Sequence, residues 1–362
     1  MPRPTYATLD FSALANNHKR VRTLVDNAKI WSVVKANAYG HGLLRTAETL
    51  APLTDGFALV EFDGAGALRA AGIQHPIMML EGCYDSGDLQ RCAELKLTPV
   101  VHSMAQVHAL LASKLSNPID IAIKLNTGMN RLGFDVSELP SVLRLLKHHA
   151  SVAGITLMTH FADADGPSGI ADQLTVFLKA TEGLDLPLTM ANSASILHYP
   201  ESHGDWVRPG IMLYGSSPFP EATAESLGLK PVMSLHSKLI ATRSLKAGDL
   251  VGYGCTFTAP ISMRIGIVAC GYADGYPRHA PTGTPIVVGG VRTRTLGRVS
   301  MDKICVDLEP VPEADVGTPV LLWGGDGKSL LPADEVAAAA GTISYELFCS
   351  LARRVPIEEI GG

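Results

Sequence analysis

Eight short apolar runs alternate with segments of helical periodicity between residue 30 and about residue 210. Strands that alternate with helices form a parallel sheet. Eight such units predict a closed (β/α)8 TIM barrel of the α/β class. The predicted strands are Trp31–Val34, Gly56–Val60, Pro76–Leu80, Leu97–Val101, Ile119–Leu125, Gly154–Met158, Leu186–Met190 and Trp206–Val207, and the predicted helices include Leu43–Leu53, Phe62–Ala71, Met104–Lys114, Leu139–His149 and Ile170–Gly183.

After about Leu229 the pattern changes to alternating apolar and polar residues between glycine and proline turns, which is typical of β structure. We therefore predict two domains: a barrel over residues 1–229 and a mainly β domain over residues 230–362, with the first ten or so residues as candidates for the β domain. The predicted strands are Ser237–Thr242, Arg264–Cys270, Pro285–Thr295, Lys303–Leu308 and Pro319–Leu322, and the predicted helices are Pro332–Ala340 and Ser344–Leu351.

The composition narrows the range of partners. The net charge is −5, and no lysine or arginine tract occurs, so we expect no nucleic-acid partner. No apolar stretch is long enough to span a bilayer, and the start lacks the apolar segment of a secretory signal, so we expect a cytoplasmic protein that binds no membrane. Six scattered cysteines without a Cys-x-x-Cys pair favour reduced, mostly buried thiols over disulfides or a metal site.

Polar residues follow several of the predicted barrel strands. They are Lys35, Lys124, His160, Asn192 with Ser193, and Arg208. Active sites of such barrels lie where the strands end, so these side chains are candidates for one site. Each also has a simpler interpretation. Lys35 could reach solvent, Lys124 could pair with an acid, His160 could be a core histidine, and Ser193 could cap a helix.

Lys35 and Arg208 are each followed by a turn suited to an anion. Lys35 ends an apolar run, and an amine in apolar surroundings becomes a nucleophile toward carbonyls. Tyr39 and two glycines follow it, and small residues beside a hydroxyl suit an anionic group. After Arg208, we expect free backbone amides at Gly210 and Ile211, which suit phosphate.

The run Val33–Gly42 closely resembles the pyridoxal-phosphate lysine motif of alanine racemases, and the resemblance covers essentially the whole chain. Its further stretches are Lys124–Phe134, Met158–Asp165, Ala191–Ala194, Arg208–Gly215, Gly252–Gly254, Gly271–Tyr276, Gly297–Asp302 and Ile343–Glu346. Gly252-Tyr253-Gly254 taken alone could be a β-turn with an exposed ring. Asn126 stands where many members of this family have aspartate.

The resemblance implies a pyridoxal 5'-phosphate cofactor attached to Lys35. It assigns the cofactor's phosphate to the hydroxyls of Tyr39, Ser193 and Tyr345 and to the amides of Gly210 and Ile211. Asn192 is a further cofactor-binding residue, and Arg208 would face the pyridine nitrogen. A guanidinium there discourages protonation of the ring and limits side reactions.

The resemblance also implies interconversion of L-alanine and D-alanine by two bases in a homodimer with shared active sites. Lys35 would serve one face of the substrate, and Tyr253 of the partner subunit the other. A free tyrosine titrates near pH 10, so His160, supported by Arg208, would activate it. Arg131, Met301 and Asp302 would bind the substrate, and Lys124 would be a candidate for carbamylation.

Other functions stay open at this point. A noncatalytic pyridoxal-phosphate carrier could use the same barrel, although it needs neither Tyr253 nor Met301. A decarboxylase on a related two-domain scaffold and a cofactor-free barrel hydrolase are further alternatives. For a racemase, the sequence does not separate D-alanine supply for the cell wall from alanine catabolism. Serine stays open as a minor substrate, because one small group changes binding by only about 1–3 kcal/mol.

Overall fold

A computed structural model describes residues 3–361, without the side chain of Lys328. The predicted domain ends at residues 1 and 362 lie outside the described residues. The chain divides into two compact units. One comprises Asn17–Ala38 and Gly42–Leu213, and we name it the barrel unit. The other comprises the described residues before Asn17, the segment Tyr39–His41 and the described chain from Tyr214 onward, and we name it the β unit.

In chain order the strands are β1 (Tyr6–Asp10), β2 (Lys29–Val33), β3 (Gly56–Leu59), β4 (Ile77–Met79), β5 (Leu97–Val101), β6 (Ile119–Asn126), β7 (Phe134–Asp135), β8 (Val152–Met158), β9 (Leu188–Thr189), β10 (Trp206–Val207), β11 (Met233–Leu245), β12 (Leu250–Val251), β13 (Phe257–Thr258), β14 (Met263–Val268), β15 (Pro285–Val288), β16 (Val291–Leu296), β17 (Ile304–Asp307), β18 (Pro319–Trp323) and β19 (Ile357–Ile360). The helices are α1 (Phe11–Leu24), the helical turn α2 (Lys35–Tyr39), α3 (Leu43–Leu50), α4 (Phe62–Ala70), α5 (Ser86–Leu95), α6 (Met104–Ala112), α7 (Leu139–Leu146), α8 (Ala171–Thr181), α9 (Ser193–His198), α10 (Ala333–Ala339) and α11 (Ser344–Cys349).

Eight parallel strands close into a barrel in the barrel unit, as predicted. Their order around the barrel is β2, β3, β4, β5, β6, β8, β9 and β10, and β10 pairs again with β2. Every residue of β3, β4 and β5 is buried. Strands with both faces covered need apolar side chains throughout, which explains the continuous apolar runs in the sequence.

The predicted barrel helices correspond to α3, α4, α6, α7 and α8. The predictions omitted α5, which follows β4. Its N-terminus is capped by Asp85, whose side chain accepts a hydrogen bond of 3.0 Å from the Asp88 amide. Such a cap satisfies an amide that the helix itself leaves unpaired.

An eight-stranded sheet forms the core of the β unit, with the order β14, β17, β16, β15, β18, β11, β1 and β19. The prediction of one strand over Pro285–Thr295 is wrong, because this segment is a hairpin of β15 and β16. Gly289 and Gly290 form the tight turn with positive φ angles of 57° and 82°. Only glycine adopts such angles readily, so these two residues determine where the chain reverses.

The side chain of Asp274 is completely buried in the β unit and is bound by two arginines. Arg3 Nη1 and Arg354 Nε donate to its carboxylate over 2.7 and 2.8 Å. Burial alone would raise the pKa of Asp274, but hydrogen bonds from Arg3, the Gly271 amide and Arg354 together lower it below its usual value. Asp274 therefore stays ionised inside the β unit.

The six cysteines are free thiols, as predicted, but the prediction that most are buried is wrong. Only Cys92 and Cys270 are buried, and Cys255 and Cys349 are exposed. Within residues 3–361, no helix combines the length and the apolar character needed to cross a bilayer.

Candidate active site

The ends of the barrel strands carry the polar residues that the sequence singled out. Lys35 lies two residues after β2, and Lys124 lies two residues before the end of β6. His160 lies two residues after β8, and Arg208 follows β10 directly. Because the strands are parallel, these positions share one edge of the barrel.

Lys35 begins the turn α2, whose backbone is left-handed. Ala36, Asn37 and Ala38 have φ angles of 52°, 54° and 55°. This conformation costs roughly 1–2 kcal/mol for each residue with a side chain, so it persists only where other contacts hold it. The Ala36 amide donates to Glu61 Oε1 over 3.0 Å, and the Leu43 amide donates to Asn37 Oδ1 over 2.9 Å. These bonds fix the backbone that presents Lys35.

Arg208 is buried and held by acceptors from neighbouring strand ends. Its Nη1 donates to Thr189 Oγ1 over 2.7 Å, and its Nη2 donates to the carbonyl oxygens of Thr159 and Met190 over 2.7 and 2.9 Å. Nη2 also lies 3.2 Å from His160 Nδ1. Arginine can only donate, so Nδ1 accepts and the ring proton of a neutral His160 is on Nε2. Burial lowers the pKa of Arg208 to about 9, which leaves it a cation at neutral pH.

Cationic side chains cluster around Lys124. Burial lowers the pKa of Lys124 to about 8, and repulsion from Arg208, Arg131 and Lys35 adds to this shift. Burial, together with repulsion from the same residues and from Lys124, also lowers the pKa of His160 well below its usual value. The cluster therefore combines a neutral imidazole, an amine that is partly neutral near pH 7, and positive charge suited to an anionic ligand.

Lys124 does not follow the alternative interpretation of a lysine paired with an acid. Among residues 3–361 it forms no ion pair, although the charge of Glu81 partly offsets the fall of its pKa. Arg131 is exposed. The loop that carries it is braced by Asn126, whose Oδ1 accepts from the Asn130 amide over 2.9 Å and whose Nδ2 donates to Asn130 Oδ1 over 2.9 Å.

Ser193 is the first residue of α9, and the interpretation of Ser193 as the helix cap is wrong. Asn192 is the cap, because its Oδ1 accepts from the Ser195 amide over 3.1 Å. The prediction of a free amide at Gly210 is also wrong, because this amide donates to Ser193 Oγ over 2.9 Å. Ile211 opens the 3-10 helix Ile211–Tyr214, where a first-turn amide has no acceptor within the helix. Serine hydroxyl and amides thus converge at one end of α9.

Tyr39 and Tyr345 lie together in the β unit. Their ring centroids are 5.7 Å apart, and the Tyr39 ring lies 4.8 Å from the ring of Tyr214. Burial raises the pKa of Tyr39 far above its usual value, so its hydroxyl keeps its proton and can donate a hydrogen bond.

Tyr253, Met301 and Asp302 lie on the surface of the β unit. The ring of Tyr253 is 72% exposed in a 3-10 turn between two glycines with positive φ. Met301 is 52% exposed, and Asp302 accepts a hydrogen bond of 2.6 Å from Arg354 Nη2. The Tyr253 ring is therefore accessible to a second molecule.

Two contributors were missed by the sequence analysis. Glu61 holds the turn after Lys35, and Thr189 holds Arg208. Glu61 lies two residues after β3, so the rule that selected the other strand ends would also have selected it. Thr189 lies inside a predicted strand, and no local pattern distinguishes it from other strand residues.

Family models of alanine racemases match both parts of the chain. The model described as "Alanine racemase, N-terminal domain" matches residues 9–218, and that described as "Alanine racemase, C-terminal domain" matches residues 232–358. An alanine racemase of Polaromonas naphthalenivorans is 52% identical over 99% of both chains.

Solved structures agree with this assignment. The crystal structure of biosynthetic alanine racemase from Pseudomonas aeruginosa matches with a TM-score of 0.95 and 44% identity over 99% of both chains. That of alanine racemase from Bacillus anthracis with bound L-Ala-P matches with a TM-score of 0.84 and 31% identity over 100% of this chain and 97% of that one. The chain belongs to the alanine racemase family, the pyridoxal-phosphate-dependent racemases of the isomerase class.

Proposed function

We propose that Lys35 and the partner subunit's Tyr253 are the two bases with which this enzyme interconverts L-alanine and D-alanine. The observation that carries the proposal is the contact of Arg208 with His160 beside the fixed turn of Lys35. This arrangement supplies a positioned amine and a neutral imidazole with an Nε2 proton available to a second hydroxyl.

The barrel residues fit pyridoxal phosphate. Nη1 and Nη2 of Arg208 bind protein acceptors, and we assign its Nε–H to the pyridine nitrogen. The Ser193 hydroxyl and the first-turn amide of Ile211 suit the phosphate, and the Gly210 amide would join them by exchanging Ser193 Oγ for a phosphate oxygen. We assign Asn192 to the same group, since it caps the helix that carries Ser193.

The resemblance adds the hydroxyls of Tyr39 and Tyr345 to the phosphate site. The raised pKa of Tyr39 supports this, because a protonated hydroxyl donates to an anion. Lys35 would hold the cofactor covalently. Pyridoxal phosphate, when bound, accepts the electron pair that remains on the substrate α-carbon after its proton leaves.

The protein moves the proton. The Lys35 amine takes or delivers it on one face of the α-carbon, and the phenol of the partner's Tyr253 acts on the opposite face. A phenol needs help to ionise near neutral pH, and the Nε2–H of neutral His160 stabilises its oxygen by donating to it. Arg208 keeps His160 in this tautomer by donating to Nδ1.

Substrate binding falls to Arg131, which is exposed and cationic and therefore suited to the alanine carboxylate. The partner's Met301 and the partner's Asp302 are the proposed helpers. Carbamylation would turn Lys124 from a cation into an anion that orients Arg131. Its lowered pKa supports this, since only a neutral amine combines with carbon dioxide.

We also propose a homodimer with shared sites in the cytoplasm. We further propose two domains over residues 1–229 and 230–362, with the first ten or so residues joining the β domain. The exposed Tyr253 supports sharing, and the free cysteines suit a reducing compartment. D-alanine would serve the cell wall or connect to alanine catabolism. The relative from Pseudomonas aeruginosa is described as biosynthetic, which favours the first role.

Incubation of the holoenzyme with L-alanine in deuterium oxide tests the reaction. We expect D-alanine with deuterium on the α-carbon. Tyr253→Phe should lower exchange about 10²–10⁴-fold from one enantiomer and much less from the other. Tyr84→Phe is the control, because Tyr84 is a comparably exposed tyrosine at 69%. Equal losses from both enantiomers would indicate a single base.

Mixed dimers test whether the site is shared. Lys35→Ala and Tyr253→Phe homodimers, each inactive alone, are mixed so that their subunits exchange. Half of the resulting dimers are mixed, and each mixed dimer has one intact site of two, so the mixture should regain roughly a quarter of wild-type activity. If both bases came from the same chain, the mixture would stay inactive.

A further inference from the structure

Two cysteines of the barrel unit lie side by side. Cys83 Sγ and Cys92 Sγ are 3.7 Å apart, although the residues are nine positions apart in the chain. A disulfide has a sulfur–sulfur distance of about 2.05 Å, so a closer approach of roughly 1.7 Å would form one. Cys83 belongs to the loop between β4 and α5, and Cys92 belongs to α5 itself.

The loop holds Cys83 against α5 through hydrogen bonds on both sides. The Tyr84 amide donates to Asp88 Oδ2 over 3.0 Å, and Gln106 Nε2 donates to the Cys83 carbonyl oxygen over 3.1 Å. These contacts keep the two sulfurs adjacent in the reduced protein. The approach to bonding distance then needs mainly a rotation of the side chains.

We propose that Cys83 and Cys92 form an oxidation site that closes to an intramolecular disulfide when the enzyme meets hydrogen peroxide. The Cys83 thiol loses its proton, and the thiolate attacks one peroxide oxygen. The O–O bond breaks, and the departing hydroxide takes up that proton to become water, so that Cys83 becomes a sulfenic acid. Cys92 sulfur then attacks the Cys83 sulfur. The S–O bond breaks, hydroxide leaves, and the Cys92 proton converts it to water. Two thiols are oxidised, and one peroxide is reduced to two waters.

The surroundings set the order of these steps. Cys83 is partly exposed and can meet peroxide, whereas Cys92 is buried. The hydrogen bond with Cys83 and burial both raise the pKa of Cys92, so its thiol keeps its proton until a neighbouring sulfur is oxidised. Cys83 is therefore the first to react and Cys92 the second.

The site has a connection to the cationic cluster. Glu81, two residues before Cys83, accepts a hydrogen bond from the Tyr84 hydroxyl, and its charge acts on Lys124. Glu81 and Cys83 therefore share the loop between β4 and α5.

Tryptic mapping under non-reducing conditions tests the proposal, because cleavage after Arg91 separates the two cysteines. Holoenzyme treated with hydrogen peroxide should give one cross-linked species of peptides 70–91 and 92–96, lighter by two hydrogen atoms than the two peptides together and released by dithiothreitol. Oxidation of Cys83 to sulfinic acid without this species, or a cross-link from Cys83 to any other cysteine, would overturn the proposal.

Variants separate the two roles. In Cys92→Ser, Cys83 should accumulate as a sulfenic acid that dimedone traps, because its partner is missing. In Cys83→Ser, Cys92 should stay a thiol under the same peroxide treatment. Cys305→Ser is the control that should leave the cross-link unchanged. Far-ultraviolet circular dichroism of each variant confirms folding. Equal dimedone trapping in wild type and Cys92→Ser would contradict the proposed second step.

Discussion

Replacement of Arg208 by lysine tests whether geometry, rather than charge alone, makes this residue necessary. The guanidinium contacts four acceptors: Thr189 Oγ1, the carbonyl oxygens of Thr159 and Met190, and His160 Nδ1. A lysine ammonium keeps the charge but concentrates its donors at one point, so we expect it to satisfy two of the four. Each buried acceptor left unpaired costs about 1–3 kcal/mol, which predicts a loss of about 2–6 kcal/mol.

Urea unfolding followed by circular dichroism measures this loss from the midpoint and slope of the transition. Arg243→Lys is the matched control, because Arg243 is exposed, and we expect a change within about 0.5 kcal/mol. Arg208→Lys should also lose activity, since His160 is no longer held in one tautomer. A loss below about 1 kcal/mol for Arg208→Lys would show that the four contacts do not stabilise the barrel as argued.

Three further predictions concern single positions. Lys124, with a pKa of about 8, should be about one-tenth neutral at pH 7, so intact-mass spectrometry should show more bound carbon dioxide as the pH rises from 6 to 8, and none in Lys124→Arg. Asp274→Asn should lower the free energy of unfolding by about 1–3 kcal/mol at pH 7, since its two arginine partners remain partly solvated. Because folding lowers the pKa of Asp274, its contribution to the free energy of unfolding is complete above the pKa of the unfolded chain, 3.8. The difference in unfolding free energy between wild type and Asp274→Asn, measured by urea titration, should therefore disappear as the pH falls below 3.8 and through the folded pKa. Gly215→Ala should cost about 2–5 kcal/mol in thermal unfolding, because the new Cβ would lie 1.7 Å from a backbone oxygen, whereas Gly248→Ala, with positive φ but nothing within 4 Å, should cost about 1–2 kcal/mol.

The eight barrel strands were predicted better than the helices, because burial on both faces leaves an unmistakable apolar run. Helices α1 and α5 were missed, since polar residues dominate their sequences FSALANNHKRVRTL and SGDLQRCAEL. Their stability comes from packing and capping, which a periodicity count does not record. The missed α5 also hid the contact between Cys83 and Cys92, because only a helix there brings the two sulfurs together.

The strand-end rule selected most of the candidate site. It did not reveal the left-handed turn after Lys35, because that conformation normally requires glycine, and Ala36, Asn37 and Ala38 all have side chains. The contact with Glu61 compensates for this, and such a contact between distant residues leaves no mark in a local pattern. The same holds for the bond between Ser193 and Gly210.

Strand β1 has a consequence for biosynthesis. Tyr6 pairs with His236 in β11, so β1 finds this neighbour only after some 230 further residues have been made. At typical bacterial and eukaryotic translation rates this delay is roughly 10–50 s. During that interval β1 exposes an unpaired edge to the crowded cell, which makes this nascent segment a natural client for a chaperone.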